Sequence, residues 1–520
     1  MPSWYRQLHL ELLEARIPTS SHRHIVTQDK IRLILTPERV HGLLIDDLHV
    51  EPVLADQHTT TILDHAVTIL AILVCIGRTS SLLDCFIFPR RWDRKLPLGR
   101  SELPALFADQ FLAEQHHFLA PTLVSGLFAE WGPETILPFA LDEPIGDAEG
   151  GFSTVHRIEV IPQYQELVKH DHWSTPPIYF ARKELKAGRR GGGTPAFQRE
   201  KHTLDMLNLV RHPHIVPLLA SYIHHDRFNM IFPLADADLA AFLDGRSGVR
   251  IVDDALWQGV LGITSAIATL HDFRYTPVYG QTLENIGYHH DLKPRNILVK
   301  DSSFFLADFG LARLKATGED SGTENKHGTA TYGAPETQRQ GSRIMFSRAL
   351  DVWSWGCIIL EILTFILLSS RGVHDFRSHR STESGTGIDY YFHNMVEMKP
   401  EVEQWAGILR DKALSHDYRR KDLLIDVLGI AKAMLASDPA SRPRASETLR
   451  KLQAIFAREG ILQDAAEAVA QPNMTARTPA VLPESSVMAG NILENLADIL
   501  DSDHPLMRAV RRSVNSDEQG

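Results

Sequence analysis

At 520 residues the chain is longer than one ordinary domain, and a catalytic unit of roughly 250 to 350 residues leaves substantial flanks to account for. Hydrophobic residues at 43% and charged residues at 23% exclude a fibrous or wholly disordered chain. A formal charge of −11 argues against nucleic acid as a ligand, because phosphate-backbone binding calls for a clustered basic excess.

Residues 1–135 read as a helical extension that names no chemistry, with Leu8, Leu10, Leu12 and Leu13 opening one segment and residues 62–76 forming another. The first residues include Trp4, Tyr5, Arg6, Glu11 and Glu14 rather than the apolar core of a signal peptide, so export is not expected. The apolar runs 66–77 and 355–368 fall short of the roughly 18 to 20 residues that span a bilayer, and the second contains Glu361. Both read as buried helices, and no membrane span is expected. Cys75, Cys85 and Cys357 have neither zinc-site spacing nor the density of a disulfide framework, which fits a reducing compartment. Together these features predict an intracellular protein, cytoplasmic and/or nuclear.

From residue 135 the texture changes to short β-like runs around 155–160 and 178–181, separated by Gly, Pro and polar turns. A Gly- and Arg-rich connector at 188–194 leads into apolar residues at helical spacing over 197–210. Beyond residue 240 the pattern is mainly helical to about residue 456, interrupted by a loop-rich stretch at 289–335. A sheet followed by helices is an α+β order of elements. In the tail, 458–520, a linker-like stretch at 471–490 precedes an apolar stripe of Ile492, Leu493, Leu496, Ile499 and Leu500. That helix, 491–500, either docks on a partner or on this domain, or packs passively on the core.

The chemistry concentrates in His289-His290-Asp291-Leu292-Lys293-Pro294-Arg295-Asn296, followed twelve residues after Asn296 by Asp308-Phe309-Gly310. A carboxylate that orients and deprotonates a hydroxyl, with oxygen ligands for a divalent cation, is what phosphoryl transfer needs. This stretch resembles the H-R-D-L-K-P-x-N and D-F-G motifs of eukaryotic protein kinases. The resemblance continues in Phe180-Ala181-Arg182-Lys183, in Glu200 on the next helix, in Gly328-Thr329-Ala330-Thr331-Tyr332-Gly333-Ala334-Pro335-Glu336, in Asp351-Val352-Trp353-Ser354-Trp355-Gly356 and in Asp438-Pro439 before Arg442. It covers roughly residues 139–457, and the A-P-E segment and the D-x-W-S-x-G helix separate it from small-molecule kinases.

The resemblance implies a bilobal kinase fold for 136–457, with a small β-rich lobe bearing one helix, a larger helical lobe, and the helical extension outside it. It implies transfer of the γ-phosphate of ATP, with Mg2+, to serine or threonine hydroxyls of protein substrates. Asp291 is then the base, Asn296 and Asp308 the metal ligands, Lys293 the cation beside the moving phosphoryl group, and Lys183 and Glu200 the phosphate clamp. Thr329, beside Asp291 and Lys293, points to aliphatic hydroxyls. Gly150, Gly151, Val155, Ala181 and Leu298 surround the nucleotide, and Arg442 pairs with Glu336. The alternative is a pseudokinase scaffold, although Lys183, Glu200, Asp291, Asn296 and Asp308 are all present.

Three departures stand out. The glycine-rich loop has Ala148 and Ser153 at two of its three glycine positions, which weakens the backbone cradle for phosphates. Insertions at 162–177, 276–288 and 371–397 read as surface loops and, with the long leader, bear a weaker resemblance to divergent kinases of filamentous fungi. His290 stands where regulated kinases carry arginine, and a histidine with a reference pKa near 6.5 is mostly neutral at pH 7. Activity is therefore expected not to depend on phosphorylation between Gly310 and Ala334. Alanine at Ser321 and Thr323 should leave turnover nearly unchanged in a kinase assay, and a large drop rejects the idea.

Overall fold

The computed structural model describes residues 3–145, 153–168, 178–185, 195–275, 283–316, 330–338, 348–384, 387–415 and 420–461. The tail helix expected at 491–500 lies outside the described residues. Two units divide the chain: Met1–Gly192 with Leu219–Leu234, and Gly193–Leu218 with Ala235–Gly520.

The first unit opens with helices α1 (Trp4–Glu14), α2 (Gln28–Ile34), α3 (Pro37–Gly42), α4 (Pro52–His65), α5 (Val67–Cys75) and α6 (Ala108–Gln115). Leu8 and Leu12, four residues apart on α1, are buried, whereas Leu10 faces solvent, as a 3.6-residue period requires. The run 62–76 is not one helix. Ala66 leaves helical geometry (φ −142°, ψ 23°), and α4 and α5 meet at 99°. The freed amides at the start of α5 are captured by Asp93, whose Oδ2 accepts from Thr68 N at 2.9 Å and Oδ1 from Ile69 N at 3.0 Å. Helix α5 is buried from Val67 to Val74 within one core that includes Ile31, Leu43, Phe86 and Phe111.

Short strands β1 (Ile17–Pro18) and β2 (His24–Ile25) pair with each other, and β3 (Leu123–Val124) runs parallel to β7 (Gln165–Glu166). The main sheet contains β4 (Leu127–Trp131), β5 (Phe139–Pro144), β6 (Ser153–Val160), β8 (Tyr179–Leu185), β9 (Ala220–His224) and β10 (Arg227–Pro233), in the order β4-β9-β10-β8-β6-β5. All its pairings are antiparallel except β4 on β9. The edge strand β4 thus comes from the leader, and a boundary at 135 cuts between two strands of one sheet. The leader also supplies Ile25 and Leu123 to the sheet's core, beside Ile158, Phe180 and Ile231, and sets Trp131 4.9 Å from Tyr222.

The second unit contains α7 (Pro195–Val210), α8 (Leu239–Leu243), α9 (Asp253–His271), α10 (Arg348–His379), α11 (Pro400–Ser415), α12 (Lys421–Met434) and α13 (Ala445–Arg458). Its strands are β11 (Ala237–Asp238), β14 (Ile297–Lys300) and β15 (Ser303–Leu306) in one sheet, β12 (Phe273–Tyr275), β13 (Leu283–Tyr288) and β16 (Arg313–Ala316) in another, and β17 (Thr382–Ser384) with β18 (Gly387–Asp389) in a third. Two expected surface loops are therefore structural: residues 283–288 form the central strand β13, and 371–379 continue α10 past a break at Ser369 (φ 56°). Among the described residues α10 is long and apolar enough to cross a membrane by length and composition, as is the bent α4–α5 pair counted as one. The most apolar window of α10 is 67% buried within the fold. A close approach fixes α9: a Cβ on Gly262 would lie 2.3 Å from the His214 ring.

Because the leader completes the sheet, residues 136–461 expressed alone should stay insoluble or melt at least ~10 °C below the full chain by differential scanning fluorimetry. Equal melting temperatures would show the leader to be dispensable.

Candidate active site

The loop between β13 and β14 carries Asp291, Lys293 and Asn296, and its backbone is held from below by one carboxylate. Asp351, at the start of α10 and fully buried, accepts from His289 N at 2.7 Å, His290 N at 2.8 Å and His271 Nε2 at 2.9 Å. These bonds keep His290 at φ 66°, a conformation that a side chain with a Cβ rarely adopts. Burial pushes the Asp351 carboxyl up, but the hydrogen bond and charge of His271, with His290 and His289, bring it down to about 2.

His289 is buried and bridges two segments. Its Nε2 donates to Ala307 O at 3.0 Å, so its Nδ1 is the acceptor for Asp291 N at 3.3 Å. Ala307 N donates back to Asn296 O at 2.9 Å. Asp308, which follows at φ 62°, is thereby tied to the same loop.

Above this frame, Lys293 Nζ donates to Asp291 Oδ2 at 2.7 Å, and Asn296 Nδ2 donates to Asp291 O at 2.8 Å and Oδ2 at 3.1 Å. The Asn296 amide, turned with its nitrogen toward Asp291, offers Oδ1 as a neutral oxygen ligand. Helix α7 brings Glu200, largely buried, beside the Asp308 segment: a Cβ on Gly310 would stand 3.3 Å from Glu200 Oε2 and 3.4 Å from Asp308 Oδ1. Asp291, Lys293 and Asn296 are thus brought together, and Asp308 and Glu200 border Gly310. Leu298 sits on β14 opposite Asp238.

In the first unit, strand alternation puts Ala181 and Lys183 on one face and Phe180, Arg182 and Glu184 on the other, and Val155 pairs across from Lys183. The second face is locked. Arg182, buried, reaches both oxygens of Asp142 at 2.9 Å, Glu184 at 2.8 Å and Asn229 at 2.7 Å. Gly150, Gly151 and Thr329 lie outside the described residues.

The expected ion pair of Arg442 is bidentate, at 2.6 and 2.8 Å from the two oxygens of Glu336. Sequence reasoning missed His271 as the partner of Asp351, and Arg182 as the anchor beside Lys183. It also missed Glu361 as an acceptor for Tyr332 at 3.0 Å, although a carboxylate inside an apolar run signals a buried partner.

Hard oxygens fit magnesium, which keeps several waters and bridges substrate phosphates rather than sitting in an all-protein cage. Asn296 and Asp308 suit that role. Among the described residues no cluster of three or more His, Cys, Asp or Glu side chains is placed to hold a metal.

A mainly antiparallel sheet with one following helix, and a mainly helical unit that presents an Asp-Lys-Asn loop beside an Asp-Phe-Gly turn, define a phosphotransferase of the protein kinase type. The family model described as protein kinase domain matches residues 172–452, and the chain belongs to that family. Its relatives include a probable LRR receptor-like serine/threonine-protein kinase of Arabidopsis thaliana, 26% identical over 72% of this chain and 59% of that protein. A lectin-domain containing receptor kinase of the same plant is 33% identical over 48% of this chain and 32% of its own length. An L-type lectin-domain containing receptor kinase of Oryza sativa subsp. japonica is 32% identical over 35% and 25%. The chain thus spans about three fifths of the first relative's length and a third or less of the other two. The resemblance to filamentous-fungal kinases has no counterpart among these plant proteins. The expected cytoplasmic or nuclear placement is corrected, since the relatives are named as receptor and receptor-like kinases.

Asp351 has a folded pKa below its unfolded value near 3.9, so its contribution to stability is fully present above pH ~4 and is lost as pH falls toward 2. Asp351→Asn should cost about 3 to 5 kcal/mol at pH 7 in urea unfolding, a deficit that shrinks between pH ~4 and ~2. A deficit that stays constant over that range would show the charge to be irrelevant.

Proposed function

We propose that the chain is an ATP-dependent protein kinase that phosphorylates serine and threonine hydroxyls. The observation that carries this reading is the Asp291–Lys293–Asn296 cluster, closed at 2.7 to 3.1 Å on a loop whose backbone is bonded to Asp351. The catalytic unit is assigned to 136–457, completed on its sheet side by the leader.

Asp291 orients the acceptor hydroxyl and takes its proton as the oxygen bonds to the γ-phosphorus. The bond from that phosphorus to the β,γ-bridging oxygen breaks, and ADP leaves. Lys293, 2.7 Å from Asp291, balances the negative charge that collects on the transferred group. Asn296 and Asp308 are the residues to hold magnesium, which when bound neutralises the nucleotide phosphates. Lys183, on the face of β8 opposite the Arg182 anchor, is assigned to the α- and β-phosphates, with Glu200 as its partner. Val155, Ala181 and Leu298 are assigned to the adenine, Gly150 and Gly151 to the phosphates, and Thr329 to the acceptor side of Asp291 and Lys293. Protein substrates are the acceptor class.

Magnesium-dependent transfer from ATP to a generic protein substrate should fall at least ~100-fold in Asp291→Asn and in Lys183→Met, with the fold intact by circular dichroism. Absent wild-type transfer with retained ATP binding supports the pseudokinase scaffold instead.

A further inference from the structure

A second buried carboxylate on α10 is not used by the chemistry above. Glu361 is wholly inside the fold and takes four donors: Arg380 Nη2 at 2.8 Å and Arg377 Nε at 3.2 Å on Oε1, and the Tyr332 hydroxyl at 3.0 Å and Arg377 Nη2 at 3.3 Å on Oε2. Both arginines come from the inserted segment 371–397. Arg380 is 1% exposed. Its guanidinium lies 4.5 Å from the Phe376 ring and 4.1 Å from the Phe392 ring, and its carbonyl accepts from Lys399 Nζ at 3.0 Å. Arg377 also reaches Asp244 at 2.5 Å.

The electrostatics run in one direction. Burial pushes the Glu361 carboxyl up, and Arg380 and Arg377 more than offset it, so Glu361 stays ionised. Burial, reinforced by Glu361, keeps the Tyr332 phenol protonated, and it is the donor. Without the arginines, Glu361 is an uncompensated buried charge, and the anchor of Tyr332 weakens. Tyr332 is also held by its backbone, since its carbonyl accepts from Ser354 Oγ at 2.8 Å. Asp351, Ser354 and Glu361 all project from one helix, so the backbone of the Asp291 loop and the segment around Tyr332 share a rail.

We propose that Arg377 and Arg380 are positioning residues for the protein acceptor. Through Glu361 they set Tyr332, and with it the segment that begins three residues after Thr329. They govern use of the acceptor and leave use of the nucleotide unchanged. This rests on the kinase reading above.

The test compares full-length wild type with Arg380→Met, Arg380→Lys, Tyr332→Phe and the Arg380→Met/Tyr332→Phe double variant, using casein as acceptor and acceptor-free ATP hydrolysis as a second readout. Tyr332→Phe keeps the ring and removes one hydroxyl, so it reports even if Arg380→Met folds poorly. Expected are a fall of about 10-fold or more in kcat/KM for casein in Arg380→Met and Tyr332→Phe, and KM for ATP and hydrolysis within about twofold of wild type. The double variant should lose little beyond either single change, and Arg380→Lys should recover part of the loss. Equal losses in transfer and hydrolysis, or no loss of transfer in Tyr332→Phe, overturn the proposal while the kinase reading stands. A wild type with no transfer at all overturns both.

Discussion

The second unit is organised around the carboxylate of Asp351. Two consecutive backbone amides and an imidazole converge on it inside the protein, where an unpaired donor costs about 1 to 3 kcal/mol. That convergence sustains His290 in a left-handed conformation and turns the chain so that Asp291 emerges next to Lys293 and Asn296. His289, fixed by the same carboxylate, passes the constraint to Ala307 and so to Asp308. Without that acceptor, Asp291 and the candidate metal ligands Asn296 and Asp308 lose their common reference.

Helix α10 extends this logic along its length. It is buried over Leu350–Thr364, so charged or polar groups on it must find partners within the fold. Asp351 finds them in His271 and the backbone of His289 and His290, Ser354 in the carbonyl of Tyr332, and Glu361 in Tyr332 and two arginines beyond the break at Ser369. The inserted segment is therefore load shared by the core, packed through Phe376 and Phe392, and stacked on Trp405 at 5.2 Å. Glu336 and Arg442 close the far end of the same region through a bidentate pair.

In the first unit a different buried network does comparable work. Arg182 is held by three acceptor side chains on the face of β8 turned away from Lys183. Such a cluster is weak evidence for stability in itself, since desolvation offsets much of its attraction, but it specifies register and face. The leader covers the sheet and occupies one of its edges with a parallel strand, which leaves fewer open ladder groups on that side.

The fold class and the grouping of candidate residues on the Asp291 loop were legible because their constraints are local. Asp291, Lys293 and Asn296 lie within six positions, so their grouping is visible in the sequence, and it was the resemblance of the whole stretch and its flanks to protein kinase motifs that pointed to phosphoryl transfer. The β-like run at the start of β8 and the apolar runs of α1 and α5 were readable for the same reason, as was the buried character of the run around Glu361. What tertiary structure decided are the long-range pairings. His271 meets Asp351 across 80 residues, Arg380 folds back on Glu361, and β4 joins β9 with Leu127 opposite the sequence-distant Ala220. The break at Ala66 and the burial of the 371–379 insertion belong with these. No short-range pattern encodes which distant donor will satisfy a buried carboxylate, because that choice is made only when the packed chain excludes water and leaves each polar group the partners within its reach.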